Sequence, residues 1–155
     1  MKMDFEIPNF VVDKWFELGY DSDTLPLLFA VPLVQVAWAE GFLQAGERRA
    51  ILQFVAKLRM NFDDEAFIAL SNWCDERPTD EFFAHANDIL ADWLKLIPEE
   101  QSEELREAVF EGCLKVARVS TNIGLLRDRK GIRREERHLL REIGDRLGFS
   151  PEYAF

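Results

Sequence analysis

The chain has 155 residues, of which 48% are hydrophobic and 31% are charged, and this composition is typical of one globular domain with a substantial core. Its two cysteines are too few for a disulfide framework, and no apolar segment approaches the roughly 20 residues that cross a membrane. The net charge of −10 argues against broad nucleic-acid binding, because the phosphate backbone repels an acidic surface. We therefore predict a single domain over residues 1–155, with residues 1–24 as an N-terminal extension.

The first ten residues, MKMDFEIPNF, contain acids and a proline where a secretory signal would have a basic start and an apolar stretch. A cytoplasmic protein without membrane insertion is therefore the expectation.

Apolar residues recur with helical spacing in the first half of the chain, and no segment alternates as a strand would. One helix is predicted to begin after Thr24, which can cap it, to carry Pro26 in its first turn and to run to Gly41. Pro32 is expected to bend or interrupt that helix, because proline removes a backbone donor and collides with the preceding turn. Two further helices are predicted in this half, over residues 11–18 and 46–60.

The second half continues the helical pattern. Asp63 and Thr79 each precede an apolar periodic segment and are predicted to be N-caps. A helix is expected to begin near Ser102, with an acid-rich first turn that suits the helix dipole. The last helix is predicted over residues 134–147 and ends at Gly148, so the predicted fold class is all-α, a bundle of about six to seven helices.

Two stretches share one pattern, which is an apolar helix, a loop and a helix that starts with Glu-Arg. Placing Gly41 on Lys130 holds the register throughout, and residues 36–37 match residues 116–117 if the second copy has nine extra loop residues, STNIGLLRD. Two helical hairpins packed about a pseudo-twofold axis can close one core that neither closes alone. The matched pairs are Leu43 with Ile132, Glu47 with Glu136, Arg48 with Arg137, Ala50 with Leu139, Ile51 with Leu140, Phe54 with Ile143, and Leu58 with Leu147.

These residues resemble the TerB-like family, named for tellurite resistance, whose hairpins carry the pattern A-x-A-D-G-x-ϕ-x-x-x-E-R, where ϕ is apolar. The first copy is similar through Ala37, Ala39, Glu40, Gly41, Leu43, Glu47 and Arg48, with Glu40 where the acid is usually Asp. The second is similar through Val116, Ala117, Ser120, Gly124, Ile132 and Glu136, but it has Thr121-Asn122 where glycines are common. The resemblance covers about residues 25–149. It implies an all-helical bundle and, for some members, metal-associated acidic residues and stress-related operons.

The first loop carries two acids, Glu40 and Glu47, on either side of a glycine-bearing turn. Cations such as Ca²⁺, Mg²⁺ or Mn²⁺ prefer carboxylate and carbonyl oxygens, so these two acids are a candidate metal site. The preferred interpretation is structural, with Glu47 and Glu136 stabilising the N-termini of their helices while the glycine permits the turn. No other cofactor is expected.

Basic residues concentrate between residues 127 and 141 of an otherwise acidic protein. A solvated helix face paired with acidic segments explains such a run, and a binding site for an acidic partner or a phosphate is the alternative. The candidate partner-binding residues are Arg127, Arg129, Lys130, Arg133, Arg134 and Arg137.

Catalytic motifs are weak in this sequence. Glu135-x-x-His138 has the spacing of half a di-iron site, but the second Glu-x-x-His is missing, and no P-loop or GxGxxG occurs. Cys74 and Cys113 lie on apolar helical positions and are predicted to be reduced core thiols.

The aromatic residues at helical spacing are predicted to belong to the core, with Phe62 and Phe82-Phe83 as an alternative exposed docking patch. The leading hypothesis is a non-catalytic TerB-like module that docks onto a protein partner, or self-associates, through helix faces. The alternatives are a divalent-metal-binding domain that uses Glu40 and Glu47, and an enzyme whose site is assembled from scattered acids.

Overall fold

The computed structural model describes residues 6–58, 63–119 and 134–149. Within these ranges the protein is built from α-helices and one 3-10 helix, without a strand, so the all-α prediction is confirmed. No helix in the described ranges has both the length and the apolar character to span a membrane. The elements are α1 (Asn9–Glu17), the 3-10 helix η1 (Ser22–Ala30), α2 (Val31–Ala37), α3 (Ala45–Lys57), α4 (Asp64–Asp75), α5 (Asp80–Leu96), α6 (Glu99–Val119) and α7 (Arg134–Leu147).

The helix predicted from Thr24 to Gly41 is interrupted next to Pro32, as expected, because the chain forms η1 and then α2. The predicted end at Gly41 is wrong, since α2 ends at Ala37. Pro32 lies in the first turn of α2, where its missing N–H costs no helical hydrogen bond, so it helps to start this second helix. The cap of η1 is Asp21, whose carboxylate accepts from the Asp23 N–H at 3.1 Å. Thr24 is buried instead, and its hydroxyl accepts from the Trp15 indole N–H at 3.0 Å.

The predicted N-caps of the next two helices are confirmed. Asp63 accepts from the Ala66 N–H at 2.9 Å, and Thr79 accepts from the Phe82 N–H at 3.0 Å. Helix α7 ends at Gly148, whose φ of +86° lies in the left-handed region that favours glycine.

The predicted start of α6 near Ser102 is wrong, because this helix begins at Glu99, directly after Pro98. Ser102 is fully buried in the helix, and its hydroxyl donates to the Leu94 carbonyl at 2.6 Å. The serine therefore connects the end of α5 to α6.

Helix α6 occupies the centre of the fold and packs against α2, α3, α5 and α7. The approach is close at Gly112, where an added Cβ would lie 2.9 Å from side-chain carbons of both Leu33 and Phe54. A side chain at this position would therefore collide with two neighbouring helices.

Two matched pairs of the repeat lie in a single core, as predicted. Ile51 and Phe54 of α3 are buried in the same apolar cluster as Leu140 and Ile143 of α7. Residues 36–37 and 116–117 are buried there too. The extra loop of the second copy falls outside the described residues.

The aromatic residues at Phe82-Phe83 are packed against the core, so the alternative of an exposed patch there is wrong. Phe83 is 1% exposed, and the Phe82 ring packs against Trp15, Tyr20 and Trp73. Phe62, the third member of that alternative, lies outside the described residues.

Candidate functional site

The first loop places Glu47 at the start of α3. Glu47 is 2% exposed, and its Oε1 accepts from the Gln44 N–H at 2.8 Å, while Gly41 adopts a φ of +92° in the turn. The structural interpretation of Glu47 is therefore confirmed. Glu40 is half-buried, and neither acid belongs to a described group of three or more potential ligand residues whose atoms approach within 4.8 Å.

The second Glu-Arg start has the same burial. Glu136 in the first turn of α7 is fully buried, and Arg137 is half-buried. Arg134 is exposed at the start of the helix. Four residues of the predicted basic patch, Arg127, Arg129, Lys130 and Arg133, lie outside the described residues, so this patch stays a prediction.

One acidic group was missed by sequence reasoning. Carboxylate oxygens of Asp21, Asp23 and Glu65 all lie within 4.8 Å of one another on the surface. The charge of Asp21 is the main reason why the pKa of Glu65 is raised above its ordinary value. Because α4 packs against η1, Glu65 reaches two acids far from it in sequence, and no local spacing indicates this.

A cavity of about 770 Å³ lies between α3 and α6, and we call it the α3/α6 groove. Its walls combine apolar and charged side chains. The apolar lining comprises Ala50, Phe54, Leu58, Ala108, Phe110, Leu114, Val119 and Phe149, and the charged lining comprises Lys57, Glu104, Glu107, Glu111, Lys115 and Arg118.

The two helices run antiparallel along the groove. Gly46 at the start of α3 lies beside Val119 at the end of α6, whereas Phe54 lies against Gly112. The ammonium group of Lys115 donates to the Gln53 side chain at 2.9 Å and connects the helices between these points.

Charges along α6 are segregated by sign within the groove. The earlier turns present Glu104, Glu107 and Glu111, and the later turns present Lys115 and Arg118. All five side chains belong to exposed residues. The α6 side of the rim is therefore acidic towards one end and basic towards the other, while Lys57 of α3 lines the acidic end.

Comparisons of this chain with protein-family models, with curated proteins and with solved structures found no match.

Proposed function

We propose that this protein is a non-catalytic helical module of the TerB-like, stress-response type, and that the α3/α6 groove binds an amphipathic helix of a partner protein. The observation that carries the proposal is the groove itself, an apolar slot between two antiparallel helices, whose α6 side carries acids towards one end and basic residues towards the other. Grooves between helices commonly bind an amphipathic helix, whose apolar face enters the slot.

The charges of α6 define the partner further. Glu104, Glu107 and Glu111 favour lysine or arginine at one end of the bound helix. Lys115 and Arg118 favour aspartate or glutamate at the other end. A helix with an apolar stripe and this charge order is therefore the occupant to which the proposal commits.

The predicted basic segment fits the same proposal. It follows α6 along the chain and begins at Arg127, nine residues after Arg118 at the basic end of the groove. We propose that its residues contact acidic side chains of the same partner.

The alternative, divalent-metal binding through Glu40 and Glu47, has less support. Glu47 is buried and already accepts the Gln44 N–H, so its use as a metal ligand would compete with the start of α3. A metal would therefore bind at the expense of this cap.

The proposal is tested by selecting helical peptides on the immobilised full-length protein from a display library with randomised charges around an apolar stripe. We expect the selected peptides to carry basic residues at one end and acidic residues at the other. A selection on the variant Glu107→Lys with Glu111→Lys should remove the preference for basic residues at that end. Peptides without charge order, or the same peptides from both proteins, would contradict the proposed groove.

A further inference from the structure

A second cavity, of about 570 Å³, lies between α2, α5 and α7. It shares no described lining residue with the α3/α6 groove. We call it the α5/α7 cavity. Its chemistry is set by two side-chain amides and by several carboxylates.

The wall of this cavity contains an amide oxygen that needs a donor. Asn87 is 4% exposed, and its Nδ2 donates to the Gln35 side-chain oxygen at 2.8 Å. The Asn87 Oδ1 atom is buried, and no hydrogen-bond donor among the described residues reaches it. Both amides line the cavity. A buried acceptor without a donor is costly, and a ligand with an N–H or O–H group would satisfy it.

The carboxylates of the cavity indicate the charge of that ligand. Asp80, Glu142 and Asp145 line it, together with a single arginine among the described residues. Asp80 is paired with Arg77 at 2.7 Å and Glu142 lies 3.2 Å from His138, so Asp145 is the lining carboxylate without an ion pair among the described residues. The lining arginine, Arg146, is engaged elsewhere, since its guanidinium lies 3.4 Å from Asp88 and donates to the Ala84 carbonyl at 3.1 Å. The surroundings of the Asn87 oxygen therefore favour a positively charged donor.

An organic cation fits this arrangement better than a metal ion. A metal needs oxygens gathered closely around it. In the described part of the chain, however, the one group of three acids within 4.8 Å is Asp21, Asp23 and Glu65, none of which lines the cavity. A primary ammonium group carries three N–H donors that can reach separate acceptors.

We propose that the α5/α7 cavity binds a primary ammonium group, with the Asn87 Oδ1 atom and the Asp145 carboxylate as acceptors. The ammonium belongs either to a free aliphatic amine or to a lysine side chain of a partner. This binding is separate from the docking function, so each of the two proposals can fail without the other.

The test is an NMR titration of the full-length chain with putrescine and, separately, with N-acetyl-lysine methylamide. We expect a saturable shift of the Asn87 side-chain amide signal that weakens as salt is added. The neutral analogues 1,4-butanediol and N-acetyl-norleucine methylamide should produce no such shift. Saturation by putrescine alone assigns a free amine, and saturation by the lysine derivative alone assigns a partner lysine. A lack of saturation with both amines, or equal binding of the neutral analogues, would overturn the proposal.

Two variants separate a ligand site from a packing defect. Asn87→Leu removes the acceptor at nearly constant volume, and Asp145→Asn removes an exposed charge without affecting the core. Binding to these variants is followed through the backbone NMR signals of α7. Each substitution should weaken the affinity for the ammonium group about tenfold, which corresponds to the loss of one charge-assisted hydrogen bond. Asp92→Asn, on α5 outside the cavity, is the matched control and should bind as the unmodified protein does. Unchanged binding in both test variants would also overturn the proposal.

Discussion

At the scale of single residues, burial determines the chemistry of the two cysteines. Both are buried free thiols. Burial raises the pKa of Cys74 to about 11 and raises the pKa of Cys113 further. Because the thiolate is the nucleophile, both residues are structural and unreactive in the native state.

We therefore expect neither thiol to react with Ellman's reagent at pH 8 in the native protein, and both to react in denaturant. The measurement is absorbance of the released thiolate. Rapid release of one equivalent from native protein would show that Cys74 or Cys113 is accessible.

A second residue-scale prediction concerns Glu65. The raised folded-state pKa means that native Glu65 binds a proton more tightly than unfolded Glu65, so its repulsion with Asp21 opposes folding above that pKa. The repulsion is relieved as the pH falls through the folded value. NMR titration of the side-chain carboxyl group should place the pKa above that of ordinary glutamate, and Asp21→Asn should lower it. Glu100→Gln, a change on α6, should leave it unchanged, and an equal pKa in all three proteins would contradict this explanation.

At the scale of helices, the close approach of α6 to its neighbours depends on one position. A Cβ at Gly112 would collide with Leu33 and Phe54, whereas a Cβ at Gly144 in α7 would have its nearest neighbour at 3.7 Å, an ordinary contact. Both glycines lie inside helices, so alanine gains the same helix propensity at each.

Gly112→Ala should therefore lower the free energy of unfolding by about 1–2 kcal/mol, because the collision outweighs the propensity gain. Gly144→Ala is the matched control and should raise it by up to about 1 kcal/mol. Urea denaturation measures both values. Stabilisation by Gly112→Ala would mean that the three helices are farther apart than described.

Helix boundaries could be predicted wherever the signal is local. Asp63, Thr79 and Gly148 act through neighbouring backbone groups, so the sequence around them indicates the helix end. Ser102 was misread because its partner, the Leu94 carbonyl, belongs to the preceding helix. The 3-10 geometry of η1 was missed because its apolar residues have spacing that also suits an α-helix.

At the scale of the whole molecule, the two hairpins contribute matched residues to one core. Ile51 and Leu140 are both fully buried at equivalent positions. We expect Ile51→Ala and Leu140→Ala each to lower the free energy of unfolding by about 2–5 kcal/mol. Urea denaturation tests this too, and a near-zero loss at either position would contradict the matched roles of the hairpins.

Whole-molecule geometry also explains which candidate sites could be foreseen. The role of Glu47 follows from its place in the helix start, which the sequence indicates. The α3/α6 groove and the acidic group at Glu65 depend on how helices that are distant in sequence pack together. The spacing of residues along the chain does not indicate which helices pack against each other. The order of acidic and basic residues along α6 can be read from the sequence. Their position beside the apolar lining of the groove cannot, because that lining includes residues of α3.

Binding of an amphipathic helix in the α3/α6 groove can be measured by fluorescence anisotropy, as the affinity of one selected peptide for two variants of the protein. Ala108→Arg fills the groove from α6, and Ala56→Arg places the same side chain on an exposed position of α3 that does not line it. We predict that Ala108→Arg weakens peptide binding at least about tenfold, whereas the Ala56→Arg variant binds the peptide like the unmodified protein. Circular dichroism should show that both variants keep their helical structure. Equal affinity of the two variants would contradict the account.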